Sequence, residues 1–439
     1  PTSKQNSQQN FYSRGVRIFE KTWFFILKFN TMTNNYPKFS QKKLDNIKNT
    51  MQVLCSKGFY KDIGWEVGTN LKNEKKSLFK GFVGQSDILA NKHSIWRIFS
   101  MTKPFVSILS LKLIEEGKMR LFDHVSRFLP NLKDPKILTV KDGKEEYSIS
   151  SNPMTIFHLL THTSGLSYGF LPDPVANIYR KERVLLDASI TLEEEAKNIS
   201  KFPLVSNPGS NWYYSVSTDI LAYIIECVSE LPLDELLKKY LFNDLGINNT
   251  SFTIEKKNIG NLIPCYGGID IFSKELVMRN VDIFSSAPPL KPIDFENTYP
   301  TDNKNFRRGG HGLFSTLEDY SIFASALLKK SELILSRKSF EMMLTDHTSK
   351  NMKPLGINNI FKPTPGLNGD GFGLGFRIRG SGSGANLPGS KGEFGWAGAA
   401  ETLFFVDPVE NFYAVFMAQN LDMPGASALF KQMIYSSLK

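Results

Sequence analysis

From Ser40 to about Lys57 apolar residues recur on one helical face, with Leu44, Ile47, Met51 and Leu54 three and four positions apart. That spacing predicts an amphipathic helix. Gly64–Thr69 and Ser77–Val83 follow as two strands, with a polar turn over Asn70–Lys76 between them. Phe105–Glu116 is strongly helical and stops at Gly117, the residue type that most readily ends a helix. Residues 119–153 are mixed in pattern, with a charged turn at Lys141–Glu146. Thr155–Leu160 reads as a short helix, broken by Thr161–Gly165. Further helices are expected over residues 190–200 and 217–240, with Pro203–Pro208 as the loop between them. Residues 255–310 are rich in Pro, Asn and Gly and lack periodicity, which predicts long loops. Thr316–Leu328 is helical and Lys350–Gly369 a loop. The end of the chain is rich in strands: Phe372–Ile378, Glu393–Trp396, Thr402–Val406 and Phe412–Ala418, with a flexible Gly380–Gly384 turn and a closing helix over Ala426–Leu438.

Strands thus sit at both ends of the chain and helices in the middle. The pattern implies one sheet shared by N- and C-terminal segments, with a helical part inserted between. The expected division is a poorly ordered extension at residues 1–37, an α/β domain from residues 38–118 and 300–439, and a mostly helical insertion at 119–299.

The chain has 439 residues, 41% hydrophobic and 22% charged, with a formal net charge of +10. That is globular composition with room for a sizeable core. The basic residues are spread along the chain and mixed with acids, and no stretch interleaves aromatics with dense Arg and Lys, so no nucleic-acid partner is expected. Cys55, Cys227 and Cys265 supply no disulfide framework. Cys55 and Cys227 lie in apolar helical patterns and are expected in the core. No run reaches the ~20 apolar residues of a membrane span. Trp23–Leu27 is apolar but short, and Met32 is a candidate start. The compartment is left open, with the cytoplasm slightly favoured over the periplasm, and the oligomeric state is open too.

The candidate chemistry begins at Ser100-Met101-Thr102-Lys103. A serine hydroxyl is a weak nucleophile until a base lies within hydrogen-bond reach. Residues three apart on a helix share a face, so Lys103 would stand one turn above Ser100. The helix N-terminus would favour negative charge developing there. Alone the motif is weak, since Ser40/Lys43, Ser77/Lys80 and Ser436/Lys439 repeat it. Only Ser100 joins an apolar approach (Ile95, Trp96, Ile98, Phe99) to a long helix. Trp212-Tyr213-Tyr214-Ser215-Val216 offers a phenol able to move protons beside an ammonium, although these aromatics read more readily as core. Gly395-Trp396-Ala397-Gly398-Ala399 is a small-residue strand that lets backbone approach a ligand. One of its N–H groups, with that of Ser100, could form an oxyanion hole. Gly165-Leu166-Ser167-Tyr168-Gly169 fits a Gly-x-Ser-x-Gly pattern but lacks the strand before and helix after that a nucleophile elbow needs. His158 and His162 have metal-ligand spacing but lack the Glu of His-Glu-x-x-His, so they are read as structural. No cofactor or metal is expected.

Taken in order, several segments resemble the serine β-lactamase-like superfamily, nearest its class C, family VIII carboxylesterase and penicillin-binding-protein-like branches. They are Phe99–Lys103, Glu116–Asp123, Ile156–Leu166, Pro208–Ser215, Gly310–Tyr320 and Phe394–Pro408, and the resemblance covers about residues 40–438. It implies an α+β fold, an antiparallel sheet flanked by helices plus an inserted mostly helical domain. It implies Ser100 as acylated nucleophile, Lys103 as its base and Tyr214 as catalytic tyrosine. It puts Ala399 N–H in the oxyanion hole with that of Ser100, and Trp396, Gly398 and Ser215 beside the substrate. Two departures stand out. The family's Tyr-x-Asn is Tyr214-Ser215-Val216 here, and its Lys-Thr-Gly is Trp396-Ala397-Gly398. Both remove groups that hold a β-lactam, and the Trp-x-Gly form resembles the esterase branch. The expectation is therefore a serine carboxylesterase acting on small-molecule esters. Its alternatives are a β-lactamase or D-amino-acid peptidase or amidase on the same site, an acyltransferase, or a non-catalytic scaffold.

Overall fold

The computed structural model describes residues 36–71, 74–85, 89–267, 283–348, 352, 370–380 and 387–439. The expectations for residues 1–35, including the apolar Trp23–Leu27, lie outside the described residues. So do nearly all of the Lys350–Gly369 loop and of the Gly380–Gly384 turn.

The amphipathic stretch after Ser40 folds as α1 (Gln41–Ser56), burying Leu44, Ile47, Met51 and Leu54 together with Cys55. β1 (Asp62–Leu71) and β2 (Glu74–Gly84) form a hairpin. β3 (Ile95–Arg97) leads through a 3₁₀ turn at Phe99–Thr102 into α2 (Lys103–Glu115), and Gly117 leaves it at φ 71°. The mixed region then departs from expectation. It contains a hairpin, β4 (Lys136–Lys141) and β5 (Lys144–Ile149), turning on Asp142 and Gly143, both at positive φ. An Asp-Gly pair suits that two-residue turn because glycine takes positive φ at no steric cost.

Short helices follow: α3 (Ile156–Leu160), α4 (Pro174–Lys181) and α5 (Leu192–Ile199). The helix expected over 217–240 is divided. α6 (Ser217–Ser229) ends where Glu230 turns to φ 55°, and Pro232 precedes α7 (Leu233–Leu237). Proline lacks the N–H that would continue the ladder. β6 (Phe314–Thr316), α8 (Leu317–Lys329) and α9 (Arg337–Met343) come next. The single strand expected over 372–378 is two short ones, β7 (Gly371–Phe372) and β8 (Arg377–Ile378), reversed around Gly375 at φ 89°. β9 (Phe394–Ala397), β10 (Leu403–Asp407), β11 (Phe412–Ala418) and α10 (Ala426–Ser437) complete the chain.

Among the described residues the main sheet has seven strands, all antiparallel, in the order β2-β1-β11-β10-β9-β8-β7. The fold is α+β, and its sheet joins both ends of the chain: Trp65 lies opposite Phe416. Alternate strand residues face opposite sides. Trp65, Val67, Phe405 and Phe416 pack under α1 and α10, against Ile47, Met51, Phe430 and Ile434. Phe404, Val406, Val415 and Met417 face the other way and join the core built around α2, α6 and α8. That core also takes in Ile156, Leu160, Leu192 and Leu221. Residues 38–439 form one compact unit, whose largest buried cluster joins Phe404 and Val415 to Ile156, Leu192 and Leu221. Cys55 is buried as expected, but Cys227 is exposed, because α6 buries Ile220, Leu221, Ile224 and Ile225 instead. Among the described residues no helix is long and apolar enough to cross a membrane.

Candidate active site

β3 pairs with β6 through Ile95–Thr316, Trp96–Ser315 and Arg97–Phe314, which fixes where the next residues emerge. Phe99 then takes φ 44°, a conformation a bulky residue rarely adopts. Its ring is buried, edge-on to Tyr299 at 5.3 Å and to Phe295 at 6.0 Å, and this packing holds the backbone in place. Ser100 lies in the 3₁₀ turn and Lys103 opens α2. In a 3₁₀ turn residues three apart eclipse one another, so serine and lysine are stacked more closely than an α-helix alone would give. Lys103 Nζ is 3.2 Å from Ser100 Oγ.

Tyr214 arrives from a different part of the chain. The strand-like run before α6 is tied to the 162–167 segment by Tyr213 N–H to His162 O at 2.8 Å and Val216 N–H to Ser167 O at 3.1 Å. The Tyr214 hydroxyl donates to Ser100 Oγ at 2.7 Å. The serine oxygen is thus contacted by an amine and a phenol at once. Lys103 is 2% exposed, and among the described residues its amine makes no ion pair. It donates to Gly310 O at 2.7 Å and lies 4.8 Å from the Tyr214 ring centre and 5.3 Å from that of Tyr168. Two ring faces and a carbonyl take the place of water around the amine.

Two buried histidines flank the group. His162, at φ 53°, has its ring 4.9 Å from that of Tyr214. Burial first, then the Lys103 charge, holds its pKa well below the usual imidazole value. His311 is depressed in the same way by burial, then by Lys103 and Arg308. Both are neutral at neutral pH and add no positive charge beside Lys103.

The end of β9 closes another side. Gly398 N–H donates to Thr402 O at 2.8 Å, Thr402 Oγ1 donates to Ile98 O at 3.3 Å, and Ala399 packs on the cluster that contains Phe99. Residues 398–399 therefore lie against the turn that carries Ser100. Trp396 is buried, with its ring 5.4 Å from Tyr214 and 5.3 Å from Phe372. Trp212 adds to this wall, 6.4 Å from Tyr214 and 5.5 Å from Phe372. Ser215 is placed differently from a substrate contact. It is fully buried, with its hydroxyl 2.7 Å from that of Ser217 and 3.4 Å from His162 Nδ1, so it braces the wall from behind.

Sequence reasoning passed over Tyr168. Its ring is 5.1 Å from that of Tyr214, and burial first, then Tyr214 and Asp219, push its phenol far above the usual range, so it stays protonated. The signal was its place two residues after Leu166, in a segment already singled out. Its neighbour Ser167 is buried and donates to Asp173 Oδ2 at 2.6 Å. His158 caps α3 with Thr155 and shares no ligand set with His162. Among the described residues no group of three or more His, Cys, Asp or Glu is arranged to hold a metal ion.

The family model described as Beta-lactamase matches residues 70–432. Esterase EstB of Burkholderia gladioli is 25% identical over 324 residues, 72% of this chain and 74% of that protein. ML-236A carboxylate methylbutanoyltransferase mlcH of Penicillium citrinum is 26% identical over 276 residues, 62% of this chain and 60% of its own length. Among solved structures, EstCE1, described as a hydrolase with promiscuous acyltransferase activity, superposes with a TM-score of 0.72 at 21% identity, covering 90% of this chain and 98% of that one. The last likeness carries the fold alone.

Proposed function

The chain belongs to the Beta-lactamase family, and from that premise we propose that it is a serine hydrolase cleaving carboxylic esters through an acyl-enzyme. One observation carries the reading: Ser100 Oγ lies 3.2 Å from the Lys103 amine and 2.7 Å from the Tyr214 phenol. In the proposed reaction Lys103, as the free amine, takes the Ser100 proton as Oγ attacks the ester carbonyl, while the Tyr214 phenol stays hydrogen-bonded to Oγ. The Ser100 and Ala399 amide N–H groups hold the oxyanion. Tyr214 gives its phenol proton to the leaving alcohol and is reprotonated from Lys103, and water then releases the acid by the same steps in reverse.

The preference for esters over β-lactams follows from what the site lacks. Trp396-Ala397-Gly398 supplies no cation for a lactam carboxylate, and Val216 supplies no amide for its side chain. The wall of Trp396, Phe372, Trp212 and Tyr214 suits an apolar acyl or alcohol group.

The test is mass spectrometry of the protein after reaction with activated p-nitrophenyl esters, on wild type and Ser100→Ala. Wild type gains one acyl mass and the variant none; equal acylation of both removes the reading. Turnover of p-nitrophenyl butyrate should also exceed that of nitrocefin. A second reading, acyl transfer to an alcohol, is favoured by the same apolar wall, which disfavours water at the acyl-enzyme, and by the transferase among the relatives. Added alcohol that diverts the acyl group from acid to new ester would select it.

A further inference from the structure

Gly310 stands between Lys103 and a carboxylate that the proposed mechanism does not use. Asp219 lies in the first turn of α6, five residues after Tyr214, and is 1% exposed. Its Oδ1 accepts the Gly310 N–H at 2.9 Å. The carbonyl of the same residue accepts Lys103 Nζ at 2.7 Å. The contact leaves little slack: a Cβ on Gly310 would collide with the Asp219 carboxylate and come within 3.0 Å of the Tyr168 hydroxyl. One on Gly309 would meet the Thr218 carbonyl and Ala222. The Gly309-Gly310 backbone is therefore seated directly on α6, and Asp219 fixes its orientation there.

We infer that Asp219 is a positioning residue, which holds the Gly310 backbone by its N–H so that the carbonyl of the same residue aims the Lys103 amine at Ser100 Oγ. This rests on the reading of Ser100 and Lys103 as the reacting pair. The arrangement solves a geometric problem. Ser100 and Lys103 belong to one segment and Tyr214 to another, and their alignment depends on how α2 sits against α6. Through the backbone of one residue, Gly310, Asp219 links the lysine of α2 to the helix that follows Tyr214. Burial pushes the Asp219 carboxyl up, while Lys103 and the Gly310 N–H pull it down. Oδ2 has no hydrogen-bond partner among the described residues. A buried oxygen left without a partner is costly, and Oδ1 is the oxygen that accepts the Gly310 N–H.

The test separates an acceptor that positions from a group that only fills space. Asp219→Asn keeps an oxygen for the Gly310 N–H, whereas Asp219→Leu and Asp219→Ala remove it. Each full-length variant is compared with wild type by near-ultraviolet circular dichroism, fluorophosphonate labelling rate at Ser100, and kcat and KM on p-nitrophenyl butyrate. In the leucine and alanine variants kcat and the labelling rate are expected to fall about 100-fold, the scale on which a misplaced reacting group costs rate. KM should stay within about threefold, since ground-state binding is untouched. Asp219→Asn should keep both rates within about threefold of wild type. Unchanged rates in the leucine or alanine variant, or an equal fall in the asparagine variant, would overturn the inference. If neither acceptor-less variant folds, Asp219→Asn decides alone: a folded protein that has lost about 100-fold overturns it, and one near wild-type rate supports it. Wild type that takes no label at Ser100 would bring down the parent reading, and this inference with it.

Discussion

Gly398 sits against the Ile98 carbonyl: a Cβ built on the glycine would fall 2.5 Å from that oxygen and would also strike the Thr402 side chain. The strand end and the turn leading to Ser100 touch at this point, backbone on side-chain-free backbone. Gly398→Ala must push one of them aside. The expected cost is about 1–3 kcal/mol of stability, the scale of overpacking, together with a fall in ester turnover, because the displaced turn carries Ser100. Urea denaturation and p-nitrophenyl butyrate kinetics check this. A variant as stable and as active as wild type would mean that the contact is looser than described.

Tyr214→Phe removes the hydroxyl 2.7 Å from Ser100 Oγ and leaves the ring packing intact. A lost proton-transfer group is worth about 10²–10⁴-fold, so kcat should fall on that scale while the melting temperature stays close to that of wild type. A change of less than threefold would assign proton transfer to Lys103 alone.

Trp396→Ala should change which esters are preferred. The ring packs between Tyr214 and Phe372, and its removal leaves space in the aromatic wall. Each added methylene that fills such space is worth up to about 1–3 kcal/mol. The ratio of kcat/KM for p-nitrophenyl octanoate over butyrate is expected to rise about tenfold or more. An unchanged ratio would place the acyl chain elsewhere.

Immediately before β9, Glu393 is fully buried and contacts both Arg377 and Lys431, the latter at 2.5 Å. Burial alone would raise its pKa, but Arg377 and Lys431 pull it down to about 2. A depressed carboxylate stabilises the fold above its ordinary value of 4.5, and that contribution is lost as pH falls from there through about 2. Glu393→Gln leaves two buried cations with less compensation and should cost about 3–5 kcal/mol at pH 7. The gap from wild type should narrow as pH falls from 4.5 towards 2. Denaturation midpoints at pH 7 and pH 3 test this; a gap that does not narrow contradicts it.

Much of this architecture was legible because periodicity and burial agree. Leu44, Ile47, Met51 and Leu54 announce α1, and the β-rich end of the chain announces β9 to β11. Where the reading failed, a local signal was present but competed with a stronger pattern. Lys141–Glu146 reads as charged turn, and its charge hides the Asp142-Gly143 pair that makes a hairpin of it. The apolar run after Ser217 hides Pro232, which divides it. Cys227 falls in an apolar stretch but on the solvent side of α6. At the site, Ser100 and Lys103 could be paired from their spacing together with the apolar approach and the long helix that set them apart from three other Ser-x-x-Lys runs. Tyr214 could be joined to them only through resemblance, because its approach to Ser100 is set by the contact with His162 and Ser167. Asp219 was not legible at all, and Tyr168 only as a neighbour of Leu166 in a segment already singled out. What marks them is proximity to Lys103 in space, and no spacing along the chain encodes that.

The pairing of Trp65 with Phe416 at the centre of the sheet also governs how the molecule is made. On a ribosome the hairpin of β1 and β2 is finished long before its partner strand exists, and it must wait with an open flank until β11 has been synthesised. Pairing at such sequence distance is slow, and unpaired flanks of this kind are where nascent chains stick to one another. The yield of native enzyme should therefore depend on synthesis rate and temperature, even in variants whose finished fold is fully stable.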